Sequence, residues 1–459
     1  MSTPAWTLGE IAELAEGTLR HGGDELAIEY GAISSDTRTL ESGDFFVALR
    51  GNSSTAIASS RTPPSGAVRA LVDAPLDRSW PQVVVEDSLA GWQRWGASHR
   101  RRWNGRIVAV TGSSGRRPQG PARAPARGRG SLVDAGQQEQ PRRSPWTLLG
   151  LSGAHRFAVI EMGMNHPGEI ALLSRLTRPD VALITSVGRA HIGHLGSREA
   201  ILSAKLEIET GLAPDAPLIL PEDPWILNRL PDSLRDRPRC TFGLAESADW
   251  HPEGEIVLGA TGTRFRTRRT GTVELSLLGI GAVLSALGAL AAVDALGEDP
   301  ARLAPRLATA PRHPMRMEPR SAAGAQWILD CYNASPESSR LAIEFLRTVP
   351  HAGRRVLVLG ALAELGDASP SIHRELGALV TGIDAAVFVG VDAKPAFETC
   401  QESSGVDLVH WSATREDASN WLAEMLRAGD LVLLKAARRL ALERILERFT
   451  PGSASRVEG

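Results

Sequence analysis

This chain has few cysteines and a net charge close to zero, and each of these facts argues against a class of protein. The three cysteines, Cys240, Cys331 and Cys400, lie far apart and form no CxxC pair. This spacing argues against a disulfide framework or a cysteine zinc site, and it is typical of a reducing compartment. The formal net charge of −2 gives no overall attraction to nucleic acid or to an anionic membrane surface.

Long hydrophobic runs are also missing. No stretch reaches the roughly 18 continuous apolar residues that a membrane-spanning helix needs, and the Ala/Leu-rich segment 284–296 predicts a buried helix instead. The first residues, Met-Ser-Thr-Pro-Ala-Trp, lack the basic region and the apolar run of a signal peptide. We therefore expect a cytoplasmic protein with no membrane insertion and no nucleic-acid partner.

Short apolar runs alternate with helical patterns along the 459 residues, a length that predicts several domains rather than one core. We expect an α/β protein with a small N-terminal α/β domain over 1–104, a central parallel-sheet domain over 105–311 and a C-terminal Rossmann-like α/β domain over 312–459. Ligands of such sheets bind at the carboxyl ends of the strands. The predicted strands are 43–49, 69–73, 82–86, 106–111, 157–162, 180–186, 327–330, 355–359, 385–389 and 431–435, and the clearest predicted helices are 7–16 and 278–296.

The segment that follows the predicted strand 106–111 begins like a phosphate-binding loop. In such loops backbone N–H groups surround the phosphates, a Lys neutralises the outer oxygens, and a Ser or Thr hydroxyl binds Mg²⁺. Here Arg116-Arg117 stands in the place of Lys-Thr. Arg116 keeps a positive charge without the compact ammonium, and Arg117 offers no hydroxyl to a metal. The candidate ATP-binding residues of this loop are Thr111, Gly112, Ser113, Ser114, Gly115 and Arg116.

Residues 116–144 have an anomalous composition, with many Arg, Pro and Gly and no hydrophobic period at their start. Composition alone is equally consistent with a basic disordered linker. An RNA-binding segment is a weaker alternative because no aromatic residues interleave with the arginines.

Several motifs in chain order resemble the Mur ligase family, and together they cover nearly the whole chain. Single motifs of this kind are weak evidence, but six in register are strong. They are Thr111-Gly-Ser-Ser-Gly115, Glu161-x-Gly-x-Asn-x-Pro-Gly-Glu169, Gly188-x-Ala-His-Ile192, Gly196-Ser197, Lys205-x-Glu207 and Asp330-x-Tyr-Asn-Ala-x-Pro336. Ser35-Asp-Thr-Arg38 also resembles the family's UDP-sugar domain, and 359–366 with 373–375 resembles its C-terminal domain.

The resemblance implies an ATP- and Mg²⁺-dependent amide ligase of peptidoglycan precursor synthesis. Its substrates would be UDP-N-acetylmuramoyl-tripeptide and D-alanyl-D-alanine, joined through an acyl phosphate by a monomeric enzyme with a P-loop-type central domain. One alternative is a related ligase of the folylpolyglutamate synthase type. Another is a catalytically dead homologue that binds a UDP-sugar or serves as a scaffold.

The resemblance also assigns roles to residues, each with a simpler alternative. Glu161 and His191 would bind Mg²⁺, and Lys205 would become a carbamate that also binds metal; the alternatives are a solvated strand-end acid, a structural His and a surface helix Lys. Arg316, Asp330 and Asn333 would meet ATP and Tyr332 would meet substrate; the alternatives are a surface Arg and an Asx turn. Ser35, Asp36, Thr37 and Arg38 would bind the UDP-sugar, or else cap a helix.

The family pattern also suggests why 116–144 is anomalous. Codons that encode residues 116–123 as printed become codons for Lys-Thr-Thr-Thr-Lys-Asp-Leu-Leu when one base is restored in each of two codons. The same frame turns 134–143 into an Asn-rich loop, and a shift in the other direction gives 53–65 the family's Phe-Asp-Gly-His. We therefore hypothesise short out-of-frame segments, which resequencing of the gene tests.

Three departures from the family lie in segments that no frame change repairs. Ser186 stands in place of Asn, residues 278–285 lack a His-Asn-x-x-Asn pattern, and Ala361 replaces an acid. The resemblance therefore predicts weakened ATP binding independently of residue 116.

Overall fold

The computed structural model describes residues 6–21, 27–28, 33–35, 44–49, 69–75, 80–113, 130–133, 140–190, 192–403 and 405–450. Within them the chain forms three large sheets in succession, each with helices packed against it.

The amino-terminal sheet has five strands and a tryptophan-rich core. Its region comprises β1 (Trp6–Thr7), α1 (Leu8–Ala15), β2 (Thr18–Arg20), β3 (Ala27–Ile28), β4 (Ile33–Ser34), β5 (Phe45–Val47), β6 (Arg69–Val72), β7 (Gln82–Val84) and α2 (Ser88–Arg102). The strand order is β2-β7-β6-β5-β4, with β2 antiparallel and the other pairs parallel. Helix α1 begins at Leu8 because Thr7 and Glu10 form a reciprocal capping box. Trp92 and Trp95 of α2 are fully buried and pack edge to face, 5.4 Å apart.

The central sheet has six parallel strands. Its elements are β8 (Arg106–Thr111), β9 (Gly130–Val133), α3 (Gln140–Leu149), β10 (His155–Glu161), α4 (Glu169–Thr177), β11 (Val181–Ile184), α5 (Ile192–Leu195), α6 (Arg198–Leu206), β12 (Leu218–Pro221), α7 (Pro224–Leu227), α8 (Asp232–Arg235) and β13 (Arg239–Phe242). The order is β13-β12-β11-β8-β10-β9. After β10 the chain crosses to the other side of β8, which makes the carboxyl end of β8 a topological switch point, where ligands of such sheets bind.

A small antiparallel sheet and a long helix follow the central sheet. They comprise β14 (Val257–Leu258), β15 (Thr263–Thr267), β16 (Gly271–Leu275), α9 (Ile280–Ala295) and α10 (Pro300–Leu303). Val283 and Leu287 of α9 are fully buried in a cluster with Leu183 and Phe242 of the parallel sheet. The helix therefore covers one face of that sheet.

The carboxyl-terminal sheet also has six strands. Its elements are β17 (Glu318–Ala322), β18 (Ala325–Asp330), α11 (Pro336–Thr348), β19 (Arg355–Gly360), α12 (Ser369–Ala378), β20 (Ala385–Val389), α13 (Lys394–Ser403), β21 (Leu408–Ser412), α14 (Arg415–Met425) and β22 (Leu431–Lys435). The order is β17-β18-β22-β19-β20-β21, in which β17 pairs antiparallel and the other pairs are parallel.

The predicted α/β class, with three sheet-based units, is confirmed. Every predicted strand has its counterpart, within a few residues at each end. The linker interpretation of 116–144 is wrong for Gly130–Val133, which forms the edge strand β9, and for residues 140–144, which begin α3. Residues 114–129 and 134–139 lie outside the described residues, as do 53–65. Strands β1 to β4, β9, β12 to β17 and β21 were not predicted.

Arg189, after β11, connects the central region to the carboxyl-terminal region. Its backbone N–H donates to Glu337 Oε1 at 2.9 Å, and its guanidinium donates to both carboxylate oxygens of Glu375 at 3.0 and 2.7 Å. A Cβ at Gly188 would lie 2.3 Å from the Glu337 carboxylate. A glycine at position 188 therefore allows the close approach of the two regions.

No helix in the described parts of the chain is long and apolar enough to cross a membrane. All three cysteines carry free thiols, and Cys331 and Cys400 are buried.

Candidate active site

The carboxyl end of β8 carries the first candidate ligand-binding residues. Gly112 follows the strand, and a Cβ there would lie 1.9 Å from Thr185 Oγ1, so that only glycine fits against β11. The Ser113 N–H donates to the Ser186 carbonyl at 3.1 Å. The buried hydroxyls Thr111 Oγ1 and Ser113 Oγ have no hydrogen-bond partner among the described residues. Buried polar atoms in this state cost free energy and often mark a ligand or ion.

Glu161 ends the neighbouring strand β10, paired in register with Val110 of β8. Beside this edge, α6 carries Lys205, whose side chain is only 2 % exposed. Burial lowers the pKa of Lys205 to about 8, and the negative charge of Glu161 opposes that shift. The surface-lysine alternative for Lys205 is therefore wrong. With this lowered pKa, the Lys205 amine loses its proton at a lower pH than an ordinary lysine does.

Helix α6 is positioned by its amino-terminal cap. Gly196 has a positive φ of 82°, and Ser197 Oγ accepts a hydrogen bond from the Ala200 N–H at 3.1 Å. The Gly196-Ser197 motif is therefore a turn followed by an N-cap, and it sets the start of the helix that carries Lys205.

Glu207, two residues after Lys205, has a different role. Its carboxylate accepts from the Gly168 N–H at 2.7 Å and from the Ala171 N–H at 3.1 Å, at the amino end of α4. A carboxylate at this position stabilises the unpaired N–H groups and the helix dipole. The Lys205-x-Glu207 spacing thus connects the buried amine to the loop that follows Glu161.

That loop is fixed by a second carboxylate. Glu169 accepts hydrogen bonds from the Asn165 N–H at 2.7 Å and the His166 N–H at 3.3 Å. Together with Glu207, Glu169 therefore fixes the part of the segment that leads into α4.

A second candidate cluster lies at the carboxyl edge of the third sheet. Asp330 ends β18, and its Oδ2 lies 2.9 Å from Lys435 Nζ. The guanidinium of Arg316 lies over the Tyr332 ring, 4.3 Å from its centroid, an arrangement typical of a cation–π contact. Asn333 is exposed, and its Oδ1 accepts from the Ala334 N–H at 2.9 Å.

Of the remaining predicted site residues, Ser35 alone is described by the structure. Ser35 is exposed after β4. Asp36, Thr37, Arg38, Ser114, Gly115, Arg116 and His191 lie outside the described residues.

Family models match two parts of the chain. The Mur ligase middle domain matches residues 143–293, and the Mur ligase, glutamate ligase domain matches 315–438. The UDP-N-acetylmuramoyl-tripeptide–D-alanyl-D-alanine ligase of Bacillus subtilis is 31% identical over 455 residues, which are 96% of this chain and 97% of that one. The chain belongs to the Mur ligase family.

Solved Mur ligase structures share the whole architecture. A crystal structure of MurF from Acinetobacter baumannii superposes with a TM-score of 0.83 at 27% identity, covering 98% of this chain and 99% of that chain. The MurF ligase from Thermotoga maritima, solved in complex with ADP, gives a TM-score of 0.77 at 27% identity, covering 91% and 96%. The three-domain Mur ligase fold therefore extends over this chain.

The match to the middle-domain model begins at residue 143, after most of the anomalous segment. The family model thus matches from within α3 onward. The out-of-frame hypothesis for the residues before it stays a prediction.

The donor set of this Mur ligase fits a hard divalent cation. Glu161 supplies a carboxylate at the end of β10, and Thr111 and Ser113 supply hydroxyl oxygens at the end of β8; oxygen ligands are those that Mg²⁺ prefers. A carbamate on Lys205 would add two more oxygens. Within the described residues, no three His, Cys, Asp or Glu side chains are grouped so that they could hold a metal ion. The fit to a cation therefore rests on the carboxylate of Glu161 and the hydroxyls of Thr111 and Ser113.

Lys435 was missed as a candidate by the sequence analysis. The sequence does contain a sign of it, because this lysine directly follows the apolar run Leu-Val-Leu-Leu of a correctly predicted strand. A charged residue at the carboxyl end of a buried parallel strand lies where ligands bind. Its partner Asp330 is distant in sequence, and only the strand order brings the two together.

Proposed function

We propose that this Mur ligase uses ATP to join D-alanyl-D-alanine to UDP-N-acetylmuramoyl-tripeptide, a step in making the peptidoglycan precursor. The observation that carries the proposal is similarity over 96% of the chain to a ligase of that name. The buried Lys205 beside Glu161 supports it, because the chemistry needs concentrated charge at the phosphate.

The reaction has two displacement steps. An oxygen of the tripeptide's terminal carboxylate attacks the γ-phosphorus of ATP, and ADP leaves with the bond electrons. The amine of D-alanyl-D-alanine then attacks the acyl carbon, loses a proton, and expels inorganic phosphate as the amide forms. Charge accumulates on phosphate oxygens in the first step, so that positioned N–H groups and cations lower its barrier.

The residues divide this work by domain. In the central domain Thr111, Gly112, Ser113, Ser114, Gly115 and Arg116 would bind the phosphates, and Glu161, His191 and carbamylated Lys205 would hold Mg²⁺. That ion would neutralise phosphate charge. In the carboxyl-terminal domain Arg316, Asp330 and Asn333 meet ATP, and Tyr332 meets substrate. In the amino-terminal domain Ser35, Asp36, Thr37 and Arg38 bind the UDP-sugar.

We propose that the three domains span residues 1–104, 105–311 and 312–459. We further propose that the enzyme is a monomer, and that it acts in the cytoplasm because its substrates are soluble nucleotide-linked precursors. Closure of the domains around these substrates would exclude water from the acyl phosphate.

A second candidate is a homologue that binds the UDP-sugar without catalysis. The replacement of Lys-Thr by Arg116-Arg117 favours it, because the loop then lacks the Lys ammonium and the following hydroxyl that such loops direct at the phosphates and the metal. This candidate and the ligase make opposite predictions about turnover once the loop is restored.

The decisive experiment compares the unaltered protein with a variant in which residues 116–123 are replaced by Lys-Thr-Thr-Thr-Lys-Asp-Leu-Leu. Phosphate release is measured with ATP, Mg²⁺, UDP-N-acetylmuramoyl-tripeptide and D-alanyl-D-alanine, and the UDP-pentapeptide is measured by mass spectrometry. We expect one phosphate per product, and a rate at least about 100-fold higher in the variant, the usual cost of losing one donor to transition-state charge. Omission of the dipeptide is the control and should stop product formation. A variant that binds the UDP-tripeptide but releases no phosphate would establish the non-catalytic candidate instead.

A further inference from the structure

Lys435 is almost completely buried, and no motif in the sequence assigns it a role. It is 1% exposed at the end of β22, directly opposite Asp330 in the register of β18 and β22. Asp330 is itself 7% exposed. A buried lysine retains its charge only with close anionic and polar partners.

The ammonium of Lys435 contacts two consecutive parts of the chain. Nζ lies 2.9 Å from Asp330 Oδ2, an ion pair at the end of β18. Nζ also donates a hydrogen bond to the Asn333 carbonyl oxygen at 2.9 Å. One cation therefore connects the strand terminus to the far end of the loop that carries Tyr332.

The same loop holds the segment around Arg316. Asp330 Oδ1 accepts from the Met317 N–H at 3.2 Å, and the Tyr332 N–H donates to the Met315 carbonyl at 3.1 Å. Met315 and Met317 have positive φ values of 58° and 48°, a conformation that costs free energy for residues other than glycine. The contacts from Asp330 and Tyr332 therefore hold a strained backbone on both sides of Arg316.

We propose that Lys435 is a positioning residue whose ammonium fixes the loop from Asp330 to Asn333 and thereby sets the placement of Tyr332 and Arg316. The inference rests on the proposed function, in which these side chains meet ATP and substrate. It assigns Lys435 no contact with the reacting atoms.

A purely structural ion pair at the other end of the same strand provides the matched control. Just before β22, Asp430 is 2% exposed and accepts from Arg354 Nη2 at 2.7 Å and from Arg354 Nε at 3.1 Å. Arg354→Met and Lys435→Met thus each remove the cation that pairs with a buried aspartate, at opposite ends of β22. Only Lys435 contacts the loop that carries Tyr332.

The chain has two tyrosines, Tyr30 and Tyr332, which makes fluorine NMR a direct readout of the loop. The full chain is labelled with 3-fluorotyrosine, and Tyr332→Phe assigns the two signals. We expect Lys435→Met to shift or broaden the Tyr332 signal and leave the Tyr30 signal unchanged, without nucleotide. Arg354→Met should leave both signals unchanged. An unchanged Tyr332 signal in folded Lys435→Met would overturn the proposal.

The double variant Asp330→Asn/Lys435→Met covers the case in which Lys435→Met does not fold, since it leaves no buried charge without a partner. It still lacks the donor to the Asn333 carbonyl, and so its Tyr332 signal should remain displaced. A wild-type Tyr332 signal in this variant would contradict the positioning role.

Kinetics give a second readout in the restored-loop background. We expect Lys435→Met to raise the KM for ATP at least about tenfold while the KM for UDP-tripeptide stays within about twofold. Arg354→Met should change neither KM. If both variants lost activity in proportion to the fraction of protein that remains folded, Lys435 would have only a structural role. Should no variant turn over ATP, the proposed function fails, while the fluorine signals still decide the role of Lys435.

Discussion

Two buried lysines, one in the central region and one in the carboxyl-terminal region, show how the same side chain can have two different environments. Lys205 and Lys435 are 2% and 1% exposed, and each lies near the carboxyl edge of a parallel sheet. Lys435 is in direct contact with Asp330 and a carbonyl oxygen. At Lys205 the charge of Glu161 does not offset burial, and the pKa falls to about 8.

The difference separates a structural cation from a reactive amine. A cation in contact with a buried carboxylate is held in its charged form, because either charge alone would be costly. An amine that is desolvated loses its proton more easily and becomes nucleophilic. The neutral amine of Lys205 is the form that attacks carbon dioxide to make a carbamate. The carbamate proposal for Lys205 therefore has a physical basis that does not apply to Lys435.

The largest expected effect comes from replacing each lysine by methionine. In the restored-loop background, Lys205→Met should lower kcat/KM at least about 1,000-fold, because the site would lose the carbamate proposed as a metal ligand. Its free energy of unfolding should not fall, since a buried amine is replaced by an apolar side chain of similar length. Lys435→Met should instead lower the free energy of unfolding by about 3 kcal/mol, because it leaves Asp330 buried without its counter-charge.

Urea unfolding and steady-state kinetics measure both quantities on the same preparations. Ser203→Ala changes an exposed residue of the same helix as Lys205 and controls for effects on α6. The comparison would fail if Lys205→Met unfolded as easily as Lys435→Met, or if Ser203→Ala lost activity equally.

A second, smaller effect is the pH dependence of stability that Lys205 contributes. Its folded-state pKa of about 8 lies below the ordinary 10.5, so that the unfolded state binds more protons between these values. Stability must therefore rise with pH across this window. In buffer free of carbon dioxide, we expect the free energy of unfolding to rise by about 1.5 kcal/mol more in wild type than in Lys205→Met between pH 8 and pH 9.5.

Lys435→Met serves as the control, since it keeps Lys205 and should keep the wild-type slope. Equal slopes in wild type and Lys205→Met would mean that burial does not lower this pKa. Bicarbonate should add stability to wild type and to Lys435→Met but not to Lys205→Met, because only the first two keep the amine that forms the carbamate.

Much of the fold followed from the sequence because parallel strands buried on both faces are continuous apolar runs. Ala385–Val389 and Leu431–Lys435 were predicted to the residue. β9 was missed because its flanking composition is rich in Arg and Gly. β15 was missed although its buried and exposed residues alternate strictly, a pattern that an analysis by strand period would find.

The candidate site was only partly predictable, because some of its contacts join residues that are far apart in the sequence. Glu161 and Lys205 came from short motifs, which carry local information. The Asp330–Lys435 pair depends on β18 and β22 being neighbours, and strand order is not encoded in any local pattern. The contact between Arg189 and Glu375 likewise joins residues 186 positions apart.

That last contact gives the smallest expected effect, and it tests whether the regions that hold the two lysines act together. Arg189 bridges Glu375 and Glu337 across the two regions. Its side chain is partly exposed, so that the bidentate pair should contribute about 1 kcal/mol to closure. We expect Arg189→Gln in the restored-loop background to lower kcat/KM about fivefold and leave the melting temperature unchanged.

Small-angle scattering with a non-hydrolysable ATP analogue should show a larger radius of gyration in Arg189→Gln than in wild type. Arg347→Gln is the matched control, since Arg347 pairs with Glu344 of the same helix and contacts Thr381 of the same region. A fivefold loss in both variants would assign the effect to surface charge. A loss confined to Arg189→Gln, with an expanded molecule, would mean that the central region with Lys205 and the carboxyl-terminal region with Lys435 must be brought together for turnover.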